Sequence, residues 1–281
     1  MTEQSRLVTV GVLALQGAFS EHLQLLRLAG VSLPIDDSDK ITWSFTEVRT
    51  EEELSQCDAL IIPGGESTTM SLVAERSGLL EPLRDFVKAS RKPTWGTCAG
   101  LILLAESANR TKRGGQELVG GLDVRVNRNH FGRQVESFEA DLDLPFLETL
   151  NDSSITREHV KPFHSVFIRA PVVEKILQPQ QGIQDEEASV PETIIAPSKV
   201  AKINIHDSSI EKGVEVMARL PGEAVALSNK DITARATGDE GNIVAVRQGN
   251  VFATSFHPEL TGDARIHTWW LDQVLKAIER S

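Results

Sequence analysis

Tyrosine is absent from this chain, cysteine occurs twice, and aromatic residues make up only 5% of its 281 positions. Two cysteines, Cys57 and Cys98, are too few for a disulfide framework or a cysteine-based zinc site. Free thiols in that number fit a reducing cytoplasm, and neither a metal nor a cofactor is expected. Positive charge is also in deficit, with 29 Lys and Arg against 40 Asp and Glu and a net charge of −11. That balance opposes binding of nucleic acid or an anionic membrane through bulk charge. No run of about 18 apolar residues occurs, so no membrane span is expected. The N-terminal stretch Met1-Thr2-Glu3-Gln4-Ser5-Arg6 enters a strand-like run directly, without the architecture of a secretory signal. No internal repeat is present. The remaining composition is that of an ordinary globular protein, long enough to bury a core in one large domain or two small ones.

What is present is centred on the stretch from Lys92 to Ala105. It reads as a short strand, a sharp turn with a cysteine at its apex, and an apolar helix. Gly96-Thr97-Cys98-Ala99-Gly100 is a thiol version of the nucleophile elbow. Glycines on either side let the turn tighten and let the helix pack close to its strand. The helix start aims backbone N–H groups and a positive dipole end at the sulfur, which favours the reactive thiolate. Cys98 is therefore the candidate nucleophile, and Cys57, at the edge of a buried strand, is expected to serve packing.

Taken in order, Leu7–Leu15 is an apolar, β-branched strand, and Phe19–Ala29 has helical spacing, with Gly30 expected as its C-terminal cap. Trp43–Val48 is a weaker strand. Thr50-Glu51-Glu52-Glu53 has capping-box spacing, and Asp58–Ile62 is a third buried strand. The loop Pro63-Gly64-Gly65-Glu66-Ser67 follows, with Ser67 expected to cap a helix reaching Ser77; Leu79–Ser90 is another helix. Strands alternating with helices predict an α/β fold with a doubly wound, mostly parallel sheet flanked by helices. Gln16-Gly17, Gly64-Gly65-Glu66 and Cys98 then all fall at carboxyl ends of strands, where such sheets bind ligands. Beyond Leu118, the runs Leu122–Val126, Ser137–Leu142 and Val166–Ala170 lack intervening helices and predict antiparallel strands in the C-terminal half. A donor-rich loop spans Asn127–Gln134. Asn242–Arg247 and Asn250–Thr254 restore strand character, and Asp263–Arg280 is an amphipathic helix with Ile266, Trp270, Val274 and Ile278 on one side.

A cysteine nucleophile needs a base, and the base needs an orienting group. His257-Pro258-Glu259 offers both: in an extended segment the alternate side chains share a face, so Glu259 can hold one ring nitrogen while the other faces the thiol. His130 and His164 lie near donor-rich segments and are weaker candidates. His22, His159, His206 and His267 sit in contexts that call for no chemistry.

These residues resemble a known family. Gly-Thr-Cys-Ala-Gly around Cys98 with a distant His257-Pro258-Glu259 resembles the class I, triad-type glutamine amidotransferase domain. Longer strings narrow the resemblance to the glutaminase subunit of pyridoxal 5′-phosphate synthase: Gly11–Ala18, Pro63–Met70, Asn129–Glu139 (NHFGRQVESFE), Val166–Pro171 and Ser255–Thr261. The likeness spans nearly the whole chain, so residues 1–281 read as a single amidotransferase domain. It breaks at about 145–164, 175–213 and 221–241, expected as surface insertions. The resemblance implies that Cys98, His257 and Glu259 hydrolyse L-glutamine to L-glutamate and ammonia through a γ-glutamyl thioester. It implies an oxyanion hole at Gly65 and Ala99, and substrate contacts from Gly65, Glu66, Ser67, Arg128, Ile168 and Arg169. It also implies a partner, a ring-shaped (β/α)8 synthase subunit that activates the glutaminase and takes up its ammonia to make pyridoxal 5′-phosphate. Three other readings stay open: a free-standing cysteine hydrolase, a catalytically silent regulatory homologue, and a glutaminase serving another synthase.

Overall fold

The computed structural model describes residues 6–33, 41–109, 116–128, 137–150, 161–179, 182–198, 213–220 and 243–280. Its N-terminal half alternates as expected: β1 (Arg6–Leu13), α1 (Phe19–Ser32), β2 (Ile41–Val48), α2 (Glu51–Ser55), β3 (Ala59–Ile62), α3 (Ser67–Arg76), α4 (Leu80–Arg84), β4 (Thr94–Thr97) and α5 (Ala99–Leu104). There follow β5 (Ala105–Asn109), β6 (Leu122–Asn127), β7 (Ser137–Leu142), β8 (Phe163–Ile168), β9 (Val172–Ile176), α6 (Asp185–Ala188), β10 (Thr193–Ile195) and β11 (Glu215–Arg219). The chain closes with β12 (Ile243–Gln248), β13 (Val251–Thr254) and α7 (Arg265–Glu279).

Among the described residues the main sheet runs β10-β5-β6-β9-β12-β13-β4-β3-β1-β2, with β11 beside β12. The pairs β1–β2, β1–β3, β3–β4 and β4–β13 are parallel, while β6–β9, β9–β12 and β12–β13 are antiparallel. The sheet is thus parallel where the elbow lies and mixed beyond it. Strands β7 and β8 form a separate antiparallel pair.

Strand alternation sends side chains to two cores. On β3, Leu60 and Ile62 join an aliphatic layer under α3, α4 and α5, while Ala59 and Ile61 face α1 and α7. On β13, Ala253 and Phe252 divide in the same way. The layer with α1 and α7 is rich in rings: Trp95, Trp269, Trp270, Phe163, Phe167, Phe252 and Phe256 are all buried there. Four helical residues, Ile266, Trp269, Trp270 and Val274, dock α7 on this face.

Local expectations are partly revised. The Thr50 capping box forms, with Thr50 Oγ1 accepting from Glu53 N at 3.3 Å. Gly30 does not end α1, which continues to Ser32; a Cβ there would lie 3.1 Å from the Phe45 ring and 3.3 Å from Trp43, so the glycine lets the helix lie against β2. The Leu79–Ser90 helix shortens to α4 and then widens into a π turn at Asp85–Ala89. Within the segment 175–213 the structure places β9's end, the turn α6 and the edge strand β10, and Glu187 of α6 bonds Arg125 and Ser107. The segment 221–241 lies outside the described residues.

Candidate active site

Three strand-to-helix loops meet at the carboxyl ends of β1, β3 and β4, and they meet backbone to backbone. Ala18 N donates to Gly64 O at 3.1 Å, and a Cβ on Gly17, whose φ is +97°, would lie 1.8 Å from that oxygen. Gln16 Oε1 accepts from Glu66 N at 2.7 Å. A Cβ on Gly100 would lie 2.1 Å from Ile62 O, and one on Gly96 would lie 2.5 Å from the Gly100 carbonyl carbon. The glycines flanking Cys98 thus do what the motif implied: they bring α5 against β3 and β4. Cys98 itself has φ 47° and ψ −99°, a left-handed conformation that costs a non-glycine residue strain. It is pinned by its N–H to Thr254 O at 2.8 Å.

Across the crevice β13 leads to His257. The segment His257-Pro258-Glu259 is not extended, as the sequence suggested: Pro258 opens a 3₁₀ turn at Pro258–Leu260, consistent with its fixed φ. Glu259 nevertheless reaches back, and Oε1 lies 2.8 Å from His257 Nδ1. The turn is held to β8 by His257 N donating to Val166 O at 2.8 Å. Cys98, His257 and Glu259 are all buried, at 6%, 7% and 4% exposure. Burial opposes charge on His257, but hydrogen bonding and attraction from Cys98 and Glu259 override it and push the ring up to about 10. Burial likewise works against the Glu259 carboxylate, but His22 and the bonded, charged His257 hold its carboxyl below the usual range. Cys98 Sγ lies 3.7 Å from Ile168 O, which brings the end of β8 to the thiol. Arg169 follows with φ 45°.

Glu66, not Ser67, caps α3: its carboxylate accepts from Thr68 N at 3.1 Å and from Thr69 N and Oγ1 at 2.7 Å each. Burial resists that charge, but the Thr69 and Thr68 bonds keep the Glu66 carboxyl low. Ser67 Oγ is free of the cap and instead accepts from Arg128 Nη2 at 2.9 Å, which also reaches Thr68 Oγ1 at 3.0 Å. Burial lowers the Arg128 guanidinium, and Glu66 works in the opposite sense. Gly65 and Glu66 are exposed at the mouth. The structure therefore groups Gly65, Glu66, Ser67 and Arg128 in one cluster and Ile168 and Arg169 beside Cys98. Residues 129–136, including His130 and the Phe-Gly-Arg-Gln-Val string, lie outside the described residues, as do His159 and His206. His164 is half-exposed between Asp141 at 3.1 Å and Glu139 at 3.3 Å, a surface pairing away from the thiol.

Sequence reading gave no role to His22 or His267. His22 Nε2 lies 3.4 Å from Glu259 Oε2. Its place could have been suspected only from a histidine on the apolar side of a helix, among Leu23, Leu25 and Leu26. Among the described residues no group of three or more His, Cys, Asp or Glu is arranged to hold a metal ion. Nor is any helix there long and apolar enough to cross a membrane.

An elbow thiol thus stands at the carboxyl end of a parallel strand of an α/β sheet, with a buried His–Glu pair beside it. Residues 12–209 and 194–276 match the SNO glutamine amidotransferase family. The chain belongs to that family. It is 41% identical over 273 residues to an Arabidopsis thaliana protein named probable pyridoxal 5′-phosphate synthase subunit PDX2, covering 97% of this chain and 88% of that one. It is 38% identical to the pyridoxal 5′-phosphate synthase subunit PdxT of Herpetosiphon aurantiacus, covering 94% and 99%. A crystal structure of a glutamine amidotransferase superposes with a TM-score of 0.59 at 35% identity, covering 94% of this chain and 98% of that one.

Proposed function

We propose that this chain is the glutaminase of a pyridoxal 5′-phosphate synthase and that Cys98, His257 and Glu259 carry its chemistry. Membership of a glutamine amidotransferase family makes it a glutamine-hydrolysing enzyme, and its relatives' names supply the synthase. The observation that carries the residue assignment is the buried line from Glu259 Oε1 through His257 Nδ1, at 2.8 Å, to the Cys98 thiol.

With Nδ1 turned to Glu259, the His257 Nε2–H faces the sulfur, and a ring pushed up to about 10 is charged at neutral pH. Cys98 then reacts as thiolate. The thiolate attacks the side-chain carboxamide carbon of glutamine, and the carbonyl electron pair moves onto oxygen. Backbone N–H groups of Ala99, at the start of α5, and Gly65 hold that oxyanion. Collapse breaks the C–N bond while His257 gives its Nε2 proton to the leaving nitrogen, so ammonia departs and a γ-glutamyl thioester remains. Neutral His257 takes a proton from water, hydroxide adds to the thioester, and glutamate leaves as the thiolate and imidazolium reform. Glu259 keeps the ring oriented throughout. Arg128 is suited to the substrate α-carboxylate and exposed Glu66 to its α-ammonium, with Gly65, Ser67, Ile168 and Arg169 completing the contacts. Ammonia passes to a ring-shaped (β/α)8 synthase subunit, whose docking switches hydrolysis on. A reducing compartment such as the cytoplasm suits the two free thiols.

Glutamate release from glutamine, measured for the purified chain alone and mixed with the synthase subunit, tests the reading. Activity that needs the synthase and vanishes in Cys98→Ala is the expected result. Partner-independent turnover would point instead to a free-standing hydrolase, and no turnover in either mixture to a silent homologue.

A further inference from the structure

Behind the His257–Glu259 pair lie two histidines with no place in that sequence of steps. His22 comes from α1 and His267 from α7, 245 residues apart, and both are fully buried. His22 Nδ1 lies 2.9 Å from His267 Nε2. On its other side, His22 Nε2 lies 3.2 Å from Thr97 Oγ1 of β4 and 3.4 Å from Glu259 Oε2. Trp95 meets both rings edge-on, at 5.5 and 4.8 Å between centroids. The groups facing His22 are therefore Glu259 and His257 from the 3₁₀ turn, His267 from α7, and the Thr97 hydroxyl.

Proton bookkeeping decides what this cluster does. Desolvation drives both rings down to about 3; for His22, Glu259 pulls the other way, while His267 and His257 add to the fall. Each ring is then neutral in the working range, with one N–H and one bare nitrogen. Their mutual hydrogen bond admits two assignments. If His22 Nδ1–H donates, His22 Nε2 presents a lone pair to the Glu259 carboxylate, and His267 Nδ1 holds a buried proton without an acceptor. If His267 Nε2–H donates, the His22 proton sits on Nε2 beside Glu259 Oε2, and only the His267 Nδ1 lone pair goes unmatched. Glu259 Oε2 and His267 Nδ1 are both buried atoms that make no hydrogen bond, and Oε2 has His22 Nε2 only within ion-pair distance, at 3.4 Å. The second assignment turns a donor, not a lone pair, toward the charged one, which is the costlier to leave bare.

We propose that His22 is a positioning residue for the active site: held as the Nε2–H tautomer by His267, it donates to Glu259 Oε2. The carboxylate is thereby kept ionised and turned with Oε1 on His257. This rests on the reading of Cys98, His257 and Glu259 as the catalytic groups.

Two measurements test it. In the intact chain labelled with ¹⁵N-histidine, long-range ¹H–¹⁵N correlations report tautomers without turnover. The expected result is His22 as the neutral Nε2–H form down to about pH 5. An Nδ1–H form, or a charged ring at neutral pH, overturns the proposal, and this readout needs no variant to fold. The second is glutamate release in the presence of the synthase subunit, across pH. His22→Phe keeps a flat ring but no N–H, so kcat should fall about tenfold or more with KM within about twofold. The acid limb of kcat/KM should rise by about one pH unit as Glu259 becomes easier to protonate. His22→Gln returns an N–H donor near the Nε2 position and should bring the acid limb back. If the Phe and Gln variants lose rate alike with an unmoved acid limb, His22 only fills space and the proposal fails. Turnover surviving Cys98→Ala would instead sink the underlying catalytic assignment, a result that the tautomer measurement does not depend on.

Discussion

The two sides of the crevice are held by different means. Cys98 is placed by backbone: a left-handed φ of 47°, glycines that let α5 touch Ile62 O, and an N–H fixed on Thr254. His257 is placed by side chains: Glu259 grips one nitrogen, and His22, His267 and Thr97 stand behind Glu259. A backbone-held thiol tolerates no added atom nearby, because no rotamer can relieve the clash. A side-chain-held imidazole depends instead on the protonation of its neighbours. Rigidity belongs to one side and pH sensitivity to the other.

The largest expected effect breaks the backbone side at its apex. Cys98→Ala should lower synthase-stimulated glutamate release by at least about a thousandfold, while the melting temperature stays near that of the parent chain. Gly100→Ala pushes a Cβ to 2.1 Å from Ile62 O, a backbone atom that cannot step aside. We expect a loss of about 1–3 kcal/mol in urea unfolding, with activity falling in parallel. Gly64→Ala sharpens the contrast, since its Cβ would lie 2.3 Å from His257 Cε1, a side chain that can swing. There the rate should fall about a hundredfold through misplacement of the imidazole, with little change in the unfolding midpoint. Rates and midpoints that fall together in Gly64→Ala would erase the distinction between the two sides.

The side-chain half also leaves a signature in stability. His257 is raised from 6.5 to about 10 in the folded chain, so the folded state holds a proton that the unfolded state releases earlier. Its contribution is fully present below about pH 6.5 and is lost as pH rises through about 10. The urea midpoint should therefore decline over that window, and His257→Gln should flatten the decline. An identical slope in parent and variant would contradict the ion pair. The smallest effect lies far from both sides: Thr50→Ala removes the cap of α2 and should cost about 1 kcal/mol with no change in the rate per folded molecule.

Much of the backbone-held side was legible in the amino-acid order. Glycine spacing around Cys98, the Pro63–Met70 loop and the alternation of apolar runs are local properties, and local chemistry determines turns, strands and short helices directly. The Thr50 capping box reads the same way. Local rules also misled where a tertiary contact outweighed them. Gly30 has the mark of a helix cap yet sits inside α1 because β2 lies against it, and Ser67 lost its capping role to Glu66 because Arg128 claims its hydroxyl. The 3₁₀ turn at Pro258 likewise replaced an extended segment without parting His257 from Glu259.

By itself, then, the sequence determined that an α/β sheet would carry a thiol on a sharp turn, and that a His and a Glu two positions apart would pair. Only the tertiary structure decided what supports that pair. His22 and His267 come from opposite ends of the chain, on helices whose local patterns assign them nothing but burial, and they become neighbours when α1 and α7 cover the same face of the sheet. Burial there strips them of charge and so makes a tautomer, rather than a cation, the group that faces Glu259. Desolvation of that kind depends on every element packed around the ring, and no short stretch of sequence encodes it.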